Sequence, residues 1–291
     1  MKISVTSTLS SLCLLVPVLG LSSCIEVPLF GTEHPDYGVI TTLTTDWSNR
    51  TDGVAVPKEY RVWIGEEYDE ILQGATNVID LSFSPDMYRI RAYNPADRIV
   101  VKDTEASVAA TDTDGFVEAQ PDWFFTASEE ESIDGDKDES ITLVMQQQVR
   151  QLSFVFTVIS NRTSRLMAID AVLEGVAGSL DIDKGEVTGT PVNVIPLFKE
   201  QSEDVYQATV RLLGVVGNTQ TLRLNMFFRG GLEITRSMDV SYLLADFNSD
   251  KKTPLLLSTQ IVENQSEELG FTVSFGEWDT KHDIMVIIYG D

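Results

Sequence analysis

The chain has 291 residues, 43% of them hydrophobic, and a formal charge of −24 from 45 acidic against 21 basic side chains. That hydrophobic content supports a full core, and the length suits one large domain or two ordinary ones. The acidity excludes nucleic-acid binding, which needs clustered Lys and Arg to displace counterions, and it sets the body against anionic lipid surfaces.

Met1 to Cys24 reads as an export and lipidation segment. Lys2 gives a positive start, and Leu9 to Leu21 is an apolar run broken only by small residues and Pro17. The run is too short to span a bilayer and sits where a secretory signal sits. Leu21-Ser22-Ser23-Cys24 puts small residues ahead of a cysteine, the pattern at which a bacterial lipoprotein is cut and acylated. Residues 1–23 are therefore expected to be a signal peptide, with Cys24 carrying palmitate-type acyl chains that tether the body to a membrane. An ordinary cleaved secretory signal followed by a chance cysteine is the alternative. Cleavage would remove Cys13 and Lys2, leaving one cysteine, no intramolecular disulfide and a charge of −25.

Residues 24–38 hold Pro28, Gly31 and Pro35 and read as a tether. An N-terminal β-sandwich domain is expected over 39–140. Val39–Thr45, Tyr60–Ile64, Val78–Phe83 and Met87–Tyr93 are strand-like, with Pro57, Gly65, Gly74, Pro85 and Pro95 between them. Residues 102–140 read as long surface loops around one anchored strand. They hold an Ala/Thr/Asp-rich stretch, the aromatic island Trp123-Phe124-Phe125 and an acidic run from Glu129 to Glu139. The island is expected to plug the first domain's core. Asp134–Glu139 invites a calcium reading, but the loop template wants Gly sixth and Glu twelfth, where this chain has Glu139 and Met145. A solvated acidic loop fits better.

A C-terminal β-sandwich domain is expected over 141–291, opening with Ile141–Met145. In Val149–Val158 the residues Arg150, Leu152, Phe154, Phe156 and Val158 share the face to be buried. Tyr206–Leu212 and Leu222–Phe228 alternate cleanly, and Gly214–Asn218 between them reads as a hairpin turn. Ser241–Phe247 is the helical candidate, with Ser241 as its N-cap. Pro254–Leu257, Phe271–Phe275 and Asp283–Tyr289 complete the strands, so the body is all-β, an antiparallel sandwich architecture.

The closing residues Ile284, Met285, Val286, Ile287, Ile288 and Tyr289 are apolar on both faces of a strand and need cover on both sides. Either they form a central strand of their own sheet, or they are a donor strand for a neighbouring chain. Chemistry is sparse. There is no Gly-x-Ser-x-Gly or His-Glu-x-x-His, the histidines His34 and His282 lie far apart, and no cysteine remains unacylated. No enzyme, metal or cofactor is expected. Of the tryptophans, Trp47, Trp63 and Trp123 sit among aliphatic strand residues and are expected in cores. Trp278, just after Gly276, is the candidate for stacking on a sugar.

Met145-Gln146-Gln147-Gln148-Val149-Arg150-Gln151-Leu152-Ser153-Phe154 carries a resemblance. So do Leu173-Glu174-Gly175-Val176-Ala177-Gly178-Ser179-Leu180-Asp181, Thr209–Gly214 and Thr44-Thr45-Asp46-Trp47. The chain resembles the fimbrillin-type lipoproteins of Bacteroidia, near the FimB-like fimbrial anchor and accessory subunits. That resemblance implies two tandem transthyretin-like β-sandwich domains, an outer-membrane lipid anchor at Cys24 and a place at the cell surface or fimbrium. It also implies a fimbrial subunit as partner, joined by strand donation from the C-terminus. The competing expectation is an outer-membrane glycan-binding lipoprotein of a polysaccharide-uptake system, with Trp278 on the sugar.

Overall fold

Period-two alternation runs through most of the chain, and the elements that form are strands. The computed structural model describes residues 41–134, 137–163, 165–266 and 270–281. The expected signal peptide, the tether with Cys24, and the closing residues Ile284–Tyr289 lie outside the described residues. The first strands are β1 (Thr41–Asp46), β2 (Glu59–Ile64), β3 (Tyr68–Gln73), β4 (Thr76–Ile79), β5 (Asp86–Tyr93), β6 (Ile99–Lys102) and β7 (Glu105–Val108). Next come β8 (Phe125–Ile133), β9 (Glu139–Val144), β10 (Gln146–Gln147), β11 (Arg150–Ser160), β12 (Leu166–Asp181), β13 (Glu186–Val194) and β14 (Lys199–Ser202). The last are β15 (Val205–Leu212), β16 (Thr221–Phe228), β17 (Leu232–Asp239), β18 (Leu255–Ser266), β19 (Gly270–Phe275) and β20 (Asp279–Lys281). A 3-10 turn, Ser241–Leu243, precedes β18.

Two sandwiches result. In the first, a sheet ordered β4-β1-β9 faces one ordered β10-β8-β5-β2-β3 across Leu43, Tyr60, Ile64, Ile90, Phe125 and Leu143. Trp47 is buried in it as expected, its indole N–H donating to Thr45 Oγ1 at 2.9 Å. The rings of Tyr60 and Phe125 meet Trp47 edge-on at 6.0 and 5.5 Å. In the second, β14-β15-β11-β18-β19, with β20 also on β18, faces β17-β16-β12-β7-β6, with β13 also on β12. Its core holds Leu152, Phe154, Phe156, Leu173, Leu224 and Leu257, and Phe156 stacks on Phe198 with ring centroids 4.8 Å apart. The five residues Arg150, Leu152, Phe154, Phe156 and Val158 are all buried, as the alternation predicts.

Several strands lie in partnerships that the sequence does not announce. The strand carrying Ile141, expected to open the second half, is β9, and it runs parallel to β1 with Leu43 opposite Ile141. β7, from the stretch expected to be loops, and β6 just before it join the second sandwich, where Ala106 stands opposite Leu180 of β12. Much of the acidic run is also strand. β8 pairs with β5 so that Arg89 faces Glu130, with which it forms an ion pair. Cross-strand arginines make the acidic residues tolerable in a ladder.

The expected hairpin at Gly214–Asn218 is a crossover. β15 pairs with β11 and β14 in one sheet, and β16 pairs with β12 and β17 in the other. Residues 214–216 instead lie along β12, where Ala177 N–H donates to Gly214 O at 3.0 Å and Val216 N–H to Gly175 O at 3.0 Å. Gly175, at a register shift within β12, has φ +83°, and a Cβ there would stand 2.5 Å from Thr219 O, so both the left-handed backbone and the close approach require glycine.

The aromatic island is shared between the sandwiches. Phe125 belongs to the first core, Phe124 to the second, and Trp123 is half-buried against both. Asn94 holds the crossing, its Oδ1 accepting from Phe125 N–H at 2.7 Å and its Nδ2 donating to Trp123 O at 2.9 Å. The island thus joins two cores instead of plugging one.

Candidate functional site

Of the site candidates named from the sequence, Cys24 and Ile284–Tyr289 lie outside the described residues and Trp278 lies within them. It lies on the link between β19 and β20, half-buried, with ring centroids 6.5 Å from Phe154 and 5.9 Å from Phe156. Trp63 and Trp123 are half-buried against the second core, with the guanidinium of Arg61 5.1 Å from the Trp63 ring and that of Arg211 5.4 Å from the Trp123 ring. Both are occupied in packing.

Trp278 forms part of the lining of a cleft of about 540 Å³ at one end of the second sandwich. The Ser241–Leu243 turn brings Tyr242 to it, two-thirds exposed at 67%, and the loop after the turn brings Asp246, Ser249 and Asp250. The turn is capped from outside. Asp239 Oδ1 accepts the Ser241 N–H at 2.9 Å, while the N-cap residue is Val240, so the capping role expected of Ser241 belongs to Asp239.

Arg150 also lines the cleft. It is buried, and its Nε donates to Thr253 O at 2.6 Å and its Nη1 to Phe247 O at 2.9 Å. Its guanidinium lies 4.9 Å from the centroid of the Phe247 ring. Burial lowers its pKa from the ordinary value, and the charge of Asp250 opposes that shift. Burial pushes the Asp250 carboxyl up, but hydrogen bonds from Thr253 and Lys252 and the charge of Arg150 bring it below the usual carboxylate value. Asp250 is therefore anionic at neutral pH.

The other side of this loop meets the first sandwich. Gln147, buried on β10, accepts the Thr51 N–H at 2.8 Å and donates to Lys251 O at 2.7 Å and Val149 O at 2.8 Å. Lys251 Nζ donates to Gln148 Oε1 at 2.8 Å, and burial lowers its pKa to about 8. A second bracket holds the sandwiches together where Asp183, in the β12–β13 turn, accepts from Arg91 Nε at 2.6 Å and Ser128 Oγ at 2.8 Å. The run Met145–Phe154, which carries the family resemblance, is thus the joint of the molecule.

Two further surface features bear on assembly. Among the described residues β20 pairs with β18 alone, with Leu256 opposite Lys281. Elsewhere on the second sandwich β13 parts from β12 after Val194. There a groove of about 370 Å³ is lined by Ile169–Val172 and the Ile195–Phe198 crossover, with Leu197 68% exposed.

Among the described residues no group of His, Cys, Asp and Glu has the arrangement of a metal site, and no helix is long and apolar enough to cross a membrane. Tyr242, Asp246 and Asp250 were not singled out in the sequence. Tyr242 and Asp246 lie in the Ser241–Phe247 segment that read as a helix, and Asp250 lies just beyond it.

A family model described as fimbrillin-A associated anchor proteins Mfa1 and Mfa2 matches residues 76–283. Among curated proteins none matches the chain. Among solved structures, a candidate adhesin from Bacteroides ovatus superposes with a TM-score of 0.58 at 10% identity, covering 84% of this chain and 97% of that one. The fimbrial anchor protein Mfa2 from Porphyromonas gingivalis gives a TM-score of 0.54 at 11% identity, with 84% and 98% covered. A candidate polysaccharide binding protein from Bacteroides thetaiotaomicron gives 0.53 at 10% identity, with 80% and 95% covered. At such identities the likeness is one of fold.

Proposed function

As the chain belongs to the family of fimbrillin-A associated anchor proteins, we propose that it is a lipid-anchored fimbrial anchor or accessory subunit. Membership implies association with fimbrial subunits and a place at the cell surface or fimbrium. The proposal adds how the two ends serve that association. Cys24, acylated after removal of residues 1–23, holds the outer membrane. Ile284–Tyr289 pairs with a neighbouring subunit by main-chain hydrogen bonds, its apolar side chains filling that subunit's core. The body between is two sandwich domains that transmit load and carry out no catalysis.

The family match over residues 76–283 carries this reading. The geometry adds support, because among the described residues β20, the last of the strands, pairs with β18 alone. Acylation at Cys24 also answers the acidity of the body, since lipid insertion does not depend on charge attraction to the membrane.

Co-expression with a fimbrial subunit tests the donor role. A chain ending at Lys281 is expected to lose a detergent-resistant complex that the full chain forms. Retention of that complex by the shortened chain would overturn strand donation. Cys24→Ser is expected to move the protein from the membrane fraction to the soluble fraction, and intact mass should show the loss of the acyl chains. A mature wild-type protein without acyl mass would overturn the anchor.

A further inference from the structure

The cleft beside Trp278 combines features that strand pairing does not use. Tyr242 and Trp278 put two aromatic side chains around a space of about 540 Å³, and the carboxylates of Asp246 and Asp250 lie on the same wall-forming loop. Asp250 uses Oδ1 to accept the backbone N–H groups of Lys252 and Thr253, both at 3.0 Å. That arrangement holds the carboxylate rigidly. Arg150 is equally fixed, its fork committed to the carbonyls of Thr253 and Phe247. The shape of the cleft is therefore preformed.

The chemistry selects a ligand class. An aromatic ring offers a flat apolar face, and a carboxylate accepts hydrogen bonds and donates none. A sugar ring has both complements, an apolar C–H face and outward hydroxyl donors. An extended apolar peptide would bury the carboxylates without pairing them, at the desolvation cost of an unpartnered charge. Anionic sugars would meet two carboxylates on a body of formal charge −24 and be repelled.

We propose that this cleft binds neutral hexose-based glycans, with Tyr242 and Trp278 stacking on sugar faces and Asp246 and Asp250 accepting sugar hydroxyls. This binding is independent of the donor strand, so either can fail without the other.

The test is titration calorimetry of the full-length chain with cellohexaose, laminarihexaose and mannohexaose, and with hexagalacturonate as the acidic probe. At least one neutral hexaose is expected to bind, and hexagalacturonate is expected to bind at least about tenfold more weakly. Trp278→Ala removes packing against Phe154 and Phe156, so a failure to bind there would not separate a lost contact from a lost fold. Tyr242→Ala and Asp246→Asn change exposed side chains and keep the fold, and each is expected to weaken binding about tenfold. Leu197→Ala, in the groove lined by Ile195–Phe198 and outside the cleft, is expected to leave it unchanged. No binding of any neutral hexaose, unchanged binding by Tyr242→Ala, or preference for hexagalacturonate would each overturn the proposal. Binding of a lysine-rich peptide in place of the sugars would do the same and reassign the cleft to cationic segments.

Discussion

The loop between Leu244 and Thr253 has two sides built on opposite rules. Toward the first sandwich it presents backbone carbonyls and Lys251 to Gln147, Gln148 and Thr51, and these polar groups are matched. Toward the cleft it presents Asp246, Ser249 and Asp250 to open space. Matched polar groups specify a unique docking of two bodies, whereas exposed ones are free to exchange water for a ligand. One short segment therefore serves as mortar on one side and as a binding surface on the other, and substitutions on the two sides should report differently.

The largest effect is expected at Gln147. Gln147→Ala leaves the Thr51 N–H and the carbonyls of Val149 and Lys251 without their partner, at a cost of about 2–4 kcal/mol. Urea unfolding should show the loss, and separation into two transitions would show that this joint is what makes the sandwiches unfold together. A single transition at wild-type stability would break the comparison.

Lys251 sharpens it through pH. Its folded pKa of about 8 lies below the unfolded value near 10.5, so between those pH values the unfolded chain binds more protons. Stability is expected to rise by about 1–2 kcal/mol as pH increases through that window, after allowance for partial solvent access. In Lys251→Met the rise should be absent. A flat wild-type profile would place this amine in water and not in the joint.

At the second bracket, the Asp183 carboxyl is held below its ordinary value by hydrogen bonds from Arg91 and then Ser128. Its contribution is complete above the unfolded carboxylate pKa of about 4 and fades as pH falls through the folded value. Asp183→Asn is expected to cost about 1 kcal/mol at pH 7 and nothing under strongly acid conditions, read as converging melting curves. The smallest effect belongs to the cleft side. Tyr242→Ala should change stability by less than about 0.5 kcal/mol, because the ring is 67% exposed.

Much of the architecture was legible because alternation reports a strand and its buried face. Leu152, Phe154 and Phe156 point inward as their spacing requires. β3 was not legible. Its sequence, Tyr-Asp-Glu-Ile-Leu-Gln, lies on a sheet edge with little burial, so no alternation was imposed on it. The acidic half of β8 read as loop because the arginines that offset it lie about forty residues earlier, on β5. Trp278 was legible as a site candidate from its turn-like setting. Tyr242, Asp246 and Asp250 were not, because a cleft is made by elements distant in sequence.

The amino-acid order alone determined the strand content, the inward faces, the acidity and the lipoprotein-like start, since each depends on neighbours within a few residues. Only the tertiary structure decided that β9 belongs with β1, that β6 and β7 cross to the second sandwich, and that β15 and β16 part into different sheets. The physical reason is that a strand's side chains specify which face must be covered, whereas its backbone hydrogen bonds are the same for any partner. The choice among partners falls to the packing of the whole, and with it the cleft that Tyr242 and Trp278 both line.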